Sequence, residues 1–154
     1  MTEFNDVKQA FYTYIEQDVD FFDYFDLDED ESMEVAGQRS EALLKEATSY
    51  LSRKLVVENV FSKTEDDCFS ETLTEEEINL LVKTMFLMYL QRDLTVLRTF
   101  HGVMTSSDLN MYSPANERKT FVAMVEQYEL NLKVEISEYQ MKDRLTGNYI
   151  QICE

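Results

Sequence analysis

Apolar residues recur at intervals of three and four along most of this chain, which is the pattern of amphipathic helices that each bury one stripe. The pattern predicts an acidic first helix over residues 5–25, with carboxylates between its aromatic positions. It predicts a second helix over residues 33–57, whose buried positions include Leu43, Leu44 and Leu51. The first two elements are therefore expected to be helices with one core-facing side each.

The third helix has the clearest start signal in the sequence. Thr74 and Glu77 have the spacing of a capping box, in which each side chain accepts a backbone N–H near the other residue. We expect this helix to end near Gly102, because glycine readily adopts the positive φ of a helix C-terminal cap. Its middle, residues 85–90, is apolar on every side, which predicts the centre of the core or a subunit contact.

Ser113 and Pro114 mark the start of a fourth helix, since proline suits the first helical position, and this helix should stop before Gly147. Its predicted face consists of apolar residues at helical spacing: Phe121, Met124, Val125, Tyr128, Leu132, Ile136 and Tyr139. Residues 148–154 alternate apolar and polar positions, which predicts a short extended tail that pairs with another segment or stays free.

Scarce turn residues support this all-α interpretation. The 154 residues include 3 glycines and 1 proline, too few for the many turns of a sandwich or barrel. We therefore expect residues 1–154 to form a single all-α domain. Its core would be four amphipathic helices joined by acidic linkers, with the third and fourth helices antiparallel. No apolar run is long enough to span a membrane, and residues 1–6 do not resemble a signal peptide.

Negative charge is concentrated in the first half of the chain. The formal net charge is −17, and residues 1–77 hold 22 acids and 6 bases against 9 acids and 8 bases in residues 78–154. Two acidic linkers, residues 26–31 and 62–73, contribute to this excess, and the first reads as an exposed loop. Such a field repels phosphates, so specific nucleic-acid binding and anionic membrane binding are both disfavoured.

Candidate catalytic and metal sites fail on chemical grounds. Residues 26–37 alternate carboxylates like a calcium loop, but Glu31 stands where that loop needs glycine, and Gly37 stands where it needs glutamate. His101 is the only histidine, which excludes a zinc pair of the HExxH type. Cys68 and Cys153 are expected to be reduced thiols. We therefore expect no cofactor, no metal and no enzymatic activity.

Two segments within residues 40–94 have recognisable spacing: an Ala-x-x-Tyr-Leu segment at residues 47–51, and a Tyr-x-x-Arg segment at residues 89–92 of the longer helix that follows. Together they resemble the small helical head–tail connector, or adaptor, proteins of tailed bacteriophages. The resemblance implies a virion protein of the phage neck, made in the host cytoplasm. It implies a ring of copies below the portal that lets DNA pass, with the portal and neighbouring neck or tail proteins as partners.

Two other functions fit the same composition. An acidic inhibitor that mimics DNA would explain the charge, and a helical scaffold or regulator, placed in the cytoplasm, would explain the helices. In every case we expect protein partners, bound through the first acidic run or through strand addition by the tail. The candidate partner-binding residues are Asp28, Asp30, Glu31, Tyr149, Ile150 and Ile152.

Overall fold

The computed structural model of the chain describes residues 1–15, 21, 28–55, 60–62, 67–103 and 114–150, and for residues 96–103 and 114–118 it describes the backbone alone. These residues form four helices: α1 (Phe4–Tyr14), α2 (Glu29–Lys54), α3 (Glu75–Val103) and α4 (Pro114–Gln140). Within the described ranges, extended pairing is limited to two isolated bridges. The predicted all-α, four-helix class is confirmed.

Helix α1 is shorter than the sequence pattern predicts. It ends at Tyr14, and Ile15 has φ −102° and ψ 16°, outside the helical range, so the prediction of one helix over residues 5–25 is wrong. In a continued helix Glu16 and Asp20 would be like charges four residues apart, which destabilises a helix. The buried stripe of α1 is nevertheless as predicted, since Phe4, Val7 and Phe11 are all buried.

Helix α2 begins earlier than predicted, at Glu29, inside the acidic run that the sequence suggested was a loop. Asp28 is the N-cap: its Oδ1 accepts the Glu31 N–H at 2.8 Å, and Glu31 accepts the Asp28 N–H at 3.4 Å. Carboxylates are stabilised at this end of a helix by the unpaired N–H groups and the positive end of the dipole. The predicted exposure of this run is confirmed at Asp28, Glu29, Asp30 and Glu31.

Helix α3 is the centre of the bundle and packs against each of the other three helices. The predicted capping box is present: Thr74 N donates to Glu77 at 2.7 Å, and Glu77 N donates to the Thr74 hydroxyl at 3.3 Å. Residues 85–90 are buried or half-buried throughout, which confirms their predicted place in the core. The helix ends at Val103, within one residue of the predicted end, but Gly102 is itself helical, so its predicted role as a C-terminal cap is wrong; one glycine costs a helix only about 1 kcal/mol.

Helices α3 and α4 are antiparallel, as predicted, because residues late in α4 contact residues early in α3. Tyr139 bonds Glu77 at 2.5 Å, while Tyr128, earlier in α4, donates to the carbonyl of Lys83 at 3.3 Å. The structure confirms most of the predicted core face of α4, burying Val125, Leu132, Ile136 and Tyr139. Met124 is about half exposed and was predicted wrongly, since the contact with α3 covers a narrower face than the apolar pattern.

The segment before α3 pairs with the first residues of the chain. Phe69 N donates to the Thr2 carbonyl and Phe4 N donates to the Asp67 carbonyl, both at 3.0 Å. The Thr2 hydroxyl also accepts the Leu73 N–H at 2.9 Å. Residues 67–73 were predicted to be part of a polar linker, yet Phe69 and Leu73 are buried. This segment is therefore a packed part of the fold that holds residues 1–4 against the bundle.

Candidate functional site

Glu77 is the most unusual side chain in the described part of the chain, because it is charged and completely buried, with 0% of its surface exposed. Besides the Thr74 N–H, it accepts hydrogen bonds from the Tyr139 hydroxyl at 2.5 Å and from the Arg144 Nε at 2.5 Å. Burial alone would raise the pKa of Glu77, but the bonds from Arg144, Tyr139 and Thr74 outweigh it and hold the pKa below its usual value.

Arg144 joins three parts of the chain at this point. Its guanidinium contacts Glu77 of α3, ion-pairs with Glu71, and donates to the Thr72 carbonyl at 2.6 Å. The hydrogen bond with Glu77 raises the pKa of Arg144, and burial raises the pKa of Tyr139. Since every strong donor and acceptor here is already paired, the cluster is built to hold the C-terminal segment on α3. Sequence reasoning identified Glu77 only as a capping residue and missed Arg144.

The chain after α4 reverses direction in a tight turn, and we call residues 141–150 the C-terminal hairpin. Asp143 accepts the Thr146 N–H at 2.8 Å, and Gly147 adopts φ +67°, where other residues are strained. Ile150 N then donates to the Met141 carbonyl at 2.8 Å, which closes a bridge between Lys142 and Tyr149. The predicted extended tail therefore pairs, within the described range, with residues of its own chain.

The tail residues predicted to bind a partner have exposed side chains. Tyr149 is 64% exposed and Ile150 is 55% exposed, although both belong to a hairpin fixed to the bundle. Ile152, the third predicted residue, lies outside the described residues. A cleft of about 210 Å³ lies between the hairpin and the bundle and is lined by Leu55, Tyr139 and Ile150 among others. The volume of this cleft lies below the range of most small-molecule sites.

The first acidic run and Asp67 of the second do not gather on one surface. Asp67 lies near Lys45 in the second half of α2, where it helps Glu41 to raise the pKa of Lys45. At 1.5 Å per residue, Lys45 is about 25 Å along the helix axis from Asp28. Glu65 and Asp66 lie outside the described residues. Asp67 and the first acidic run therefore lie at different positions along α2.

A groove of about 410 Å³ between α3 and α4 is lined mainly by carboxylates, including Glu75, Glu76 and Glu138. Within the ranges that the structure describes, no three His, Cys, Asp or Glu side chains are placed to hold a metal ion. Cys68 is half-buried and, among the described residues, forms no disulfide. The side chain of His101 and all of Cys153 lie outside the described residues.

Within the described part of the chain, no helix is both long and apolar enough to cross a membrane. Neither a protein-family model, nor a curated protein, nor a solved structure matches this chain.

Proposed function

We propose that this chain is a non-catalytic adaptor of the tailed-phage neck, a head–tail connector that forms a ring below the portal and lets DNA pass. The observation that carries the proposal is the C-terminal hairpin, which exposes Tyr149 and Ile150 while Arg144 fixes its base to Glu77. A connector has to bind its neighbours through a preformed surface, and this hairpin is the best candidate for one on the described surface.

Fixing the hairpin in advance lowers the entropy lost on binding. The bonds from Asp143 N to the Asn148 carbonyl and from Ile150 N to the Met141 carbonyl flank the bridge between Lys142 and Tyr149. In this arrangement the N–H and C=O of Tyr149 point away from Lys142, toward the outer edge of the hairpin. A partner strand would pair with that edge and cover the two exposed side chains, which is the β-addition mode of protein recognition.

The charge distribution supports the second part of the proposal, passage of DNA. Exposed carboxylates in the first turn of α2, among them Glu29 and Asp30, repel phosphates and offer DNA no cation to hold it. The counts of 22 acids and 6 bases in residues 1–77 extend this effect over half the chain. A ring with this half toward its channel would therefore let DNA slide without adhering.

The test is assembly with a tailed-phage portal protein. We expect co-purification and additional ring density below the portal in electron micrographs. Tyr149→Asp with Ile150→Asp should abolish binding, because it places two charges at the contact. Met33→Asp is the matched control, since Met33 is also about half exposed but lies on α2. Failure of the unaltered chain to bind the portal, or equal loss with both variants, would refute the proposal.

An acidic DNA mimic is the second candidate, favoured by the exposed carboxylates at the start of α2. It predicts binding to a basic nucleic-acid enzyme. DNA should compete with this binding, and high salt should weaken it. Replacing Glu29 and Asp30 by Ser and Asn should weaken that binding, while the Tyr149 and Ile150 substitutions should leave it unchanged. A helical scaffold would bind neither the portal nor such an enzyme, so the two assays separate all three functions.

A further inference from the structure

Helix α4 carries apolar residues on two opposite sides. Its inner side packs on α3 through residues such as Val125 and Leu132. Half a turn away, Leu130, Val134 and Met141 are 55%, 57% and 60% exposed. Isolated exposed apolar residues are ordinary, but Leu130 and Val134 of α4 and Met141, which directly follows the helix, lie on the same side, and this alignment needs an explanation.

The exposed residues follow the spacing of a coiled-coil seam. Alternating steps of four and three residues define what we call the outer seam: Ala123, Gln127, Leu130, Val134, Ser137 and Met141. The seam reaches from the middle of α4 to the turn that closes it, where Met141 N still bonds the Glu138 carbonyl at 3.1 Å. In heptad terms Val134 is an a position and Leu130 a d position, the combination that favours two parallel strands.

The residues beside the seam carry complementary charges. Lys133 occupies the g position and Glu138 the e position of the next heptad. In a parallel pair of helices these two positions face each other across the seam, once on each side. Lys133 ion-pairs with Glu129 of its own helix at 2.7 Å, and both side chains are partly exposed. The exposed side of the Lys133 ammonium can therefore contact a carboxylate of the second copy while it remains paired with Glu129. An antiparallel pair centred on the seam would instead place Lys133 opposite its own copy.

The charge of the whole chain indicates where two copies can meet. The first half carries a formal excess of 16 acids over bases, whereas residues 119–150 contain 5 acids and 4 bases. Two copies would repel each other strongly along their acidic halves and little along α4. The outer seam is therefore a surface on which self-association adds apolar burial at little electrostatic cost.

We propose that the outer seam binds a second copy of this chain, with the two α4 helices parallel about a two-fold axis. Such a contact uses the same surface on both copies, so it closes as a dimer and does not extend into a ring. It is separate from the ring contacts of the proposed function and stands without them. Because the seam lies opposite the core-facing side of α4, the two bundles extend away from the axis on opposite sides.

The experiment is sedimentation velocity on the full chain at concentrations up to about 100 µM, where a Kd weaker than about 1 mM leaves the protein monomeric. We expect a dimer for the unaltered chain and a monomer for Leu130→Glu with Val134→Glu. Both residues are exposed, so circular dichroism should remain unchanged and show that the variant is folded. The control is Met33→Glu. Met33 is as apolar as the seam residues but lies on α2, so this variant should remain a dimer. A monomeric unaltered chain, or a dimeric seam variant, would overturn the proposal.

Orientation is tested separately. Lys133→Glu or Glu138→Lys should each weaken the dimer about fivefold, and the two changes together should restore it, because the pair is then reversed. With Cys68→Ser and Cys153→Ser as the background, Leu130→Cys should form a disulfide between copies under mild oxidation. Absence of that disulfide from a stable dimer would contradict the parallel arrangement. Seam variants should still bind a portal, so failure here is distinguishable from failure of the proposed function.

Discussion

Replacing Arg144 by alanine removes the one cation in contact with the buried carboxylate of Glu77 among the described residues. The Tyr139 and Thr74 hydrogen bonds remain, but the negative charge loses its counterion. Breaking a buried ion pair from one side costs about 3–5 kcal/mol. The Arg144 side chain is 25% exposed, and water replaces part of the lost interaction, so we expect a loss of about 2–3 kcal/mol. For a domain of this length that lowers Tm by about 8 °C.

The same substitution should change the pH dependence of stability. The pKa of Glu77 is lower in the folded state than in the unfolded chain. Its carboxylate therefore stabilises the fold at pH values above the ordinary pKa of about 4.3, and this stabilisation is lost as the pH falls through the folded-state pKa. Without Arg144, burial is opposed by fewer donors and the pKa of Glu77 rises. The difference in Tm between the two proteins should therefore be smaller near pH 4 than at pH 7.

Thermal unfolding followed by circular dichroism measures both effects. Arg92→Ala is the matched control, because Arg92 ion-pairs with Glu46 on the surface at 2.6 Å and such pairs contribute about 0–1 kcal/mol. If Arg144→Ala is no more destabilising than Arg92→Ala at pH 7, the buried pair does not hold the hairpin in place. An equal loss at pH 4 and pH 7 would refute the ionised state of Glu77.

Three further substitutions test other parts of the fold. Asp28→Ala should cost about 1 kcal/mol in chemical denaturation, because it removes the N-cap of α2, and a neutral effect would contradict the capping box. Gly147→Ala should speed amide exchange at Ile150, since alanine at φ +67° costs about 1–2 kcal/mol; unchanged exchange would contradict the turn. Leu43→Ala should cost about 2–5 kcal/mol because Leu43 is completely buried, and a loss under about 0.5 kcal/mol, which is typical of an exposed position, would contradict that burial.

Local signals predicted the parts of the fold that local interactions determine. The capping box at Thr74 and the helix start at Pro114 depend on residues a few positions apart, and the structure has both at the predicted places. The start of α2 was misplaced because repulsion among Asp28, Glu29 and Glu31 was weighed without the helix end that they stabilise. Whether a run of carboxylates stabilises or destabilises a helix therefore depends on the backbone groups that lie beside it.

The contact between Arg144 and Glu77 was beyond sequence reasoning, because 67 residues separate the two and Arg144 belongs to no spaced motif. The outer seam was equally hidden. Its spacing is visible in the sequence, but a second apolar side of α4 can be recognised only after the first has been placed on α3. Met124 shows the same difficulty in reverse, since it was assigned to the buried face and lies outside it.

The segment just before α3 has a consequence for synthesis of the chain on the ribosome. Thr2 contacts Leu73 and Arg144 contacts Thr72, so this short stretch has partners near both extremes of the sequence. Contacts between distant residues form late in folding. When α3 first leaves the ribosome, Glu77 still lacks its counterion, and its burial must wait until Arg144 has been translated. Ribosome-bound chains that stop between α3 and α4 should therefore be sensitive to protease at residues 67–77, and chains extended beyond Arg144 should be protected there.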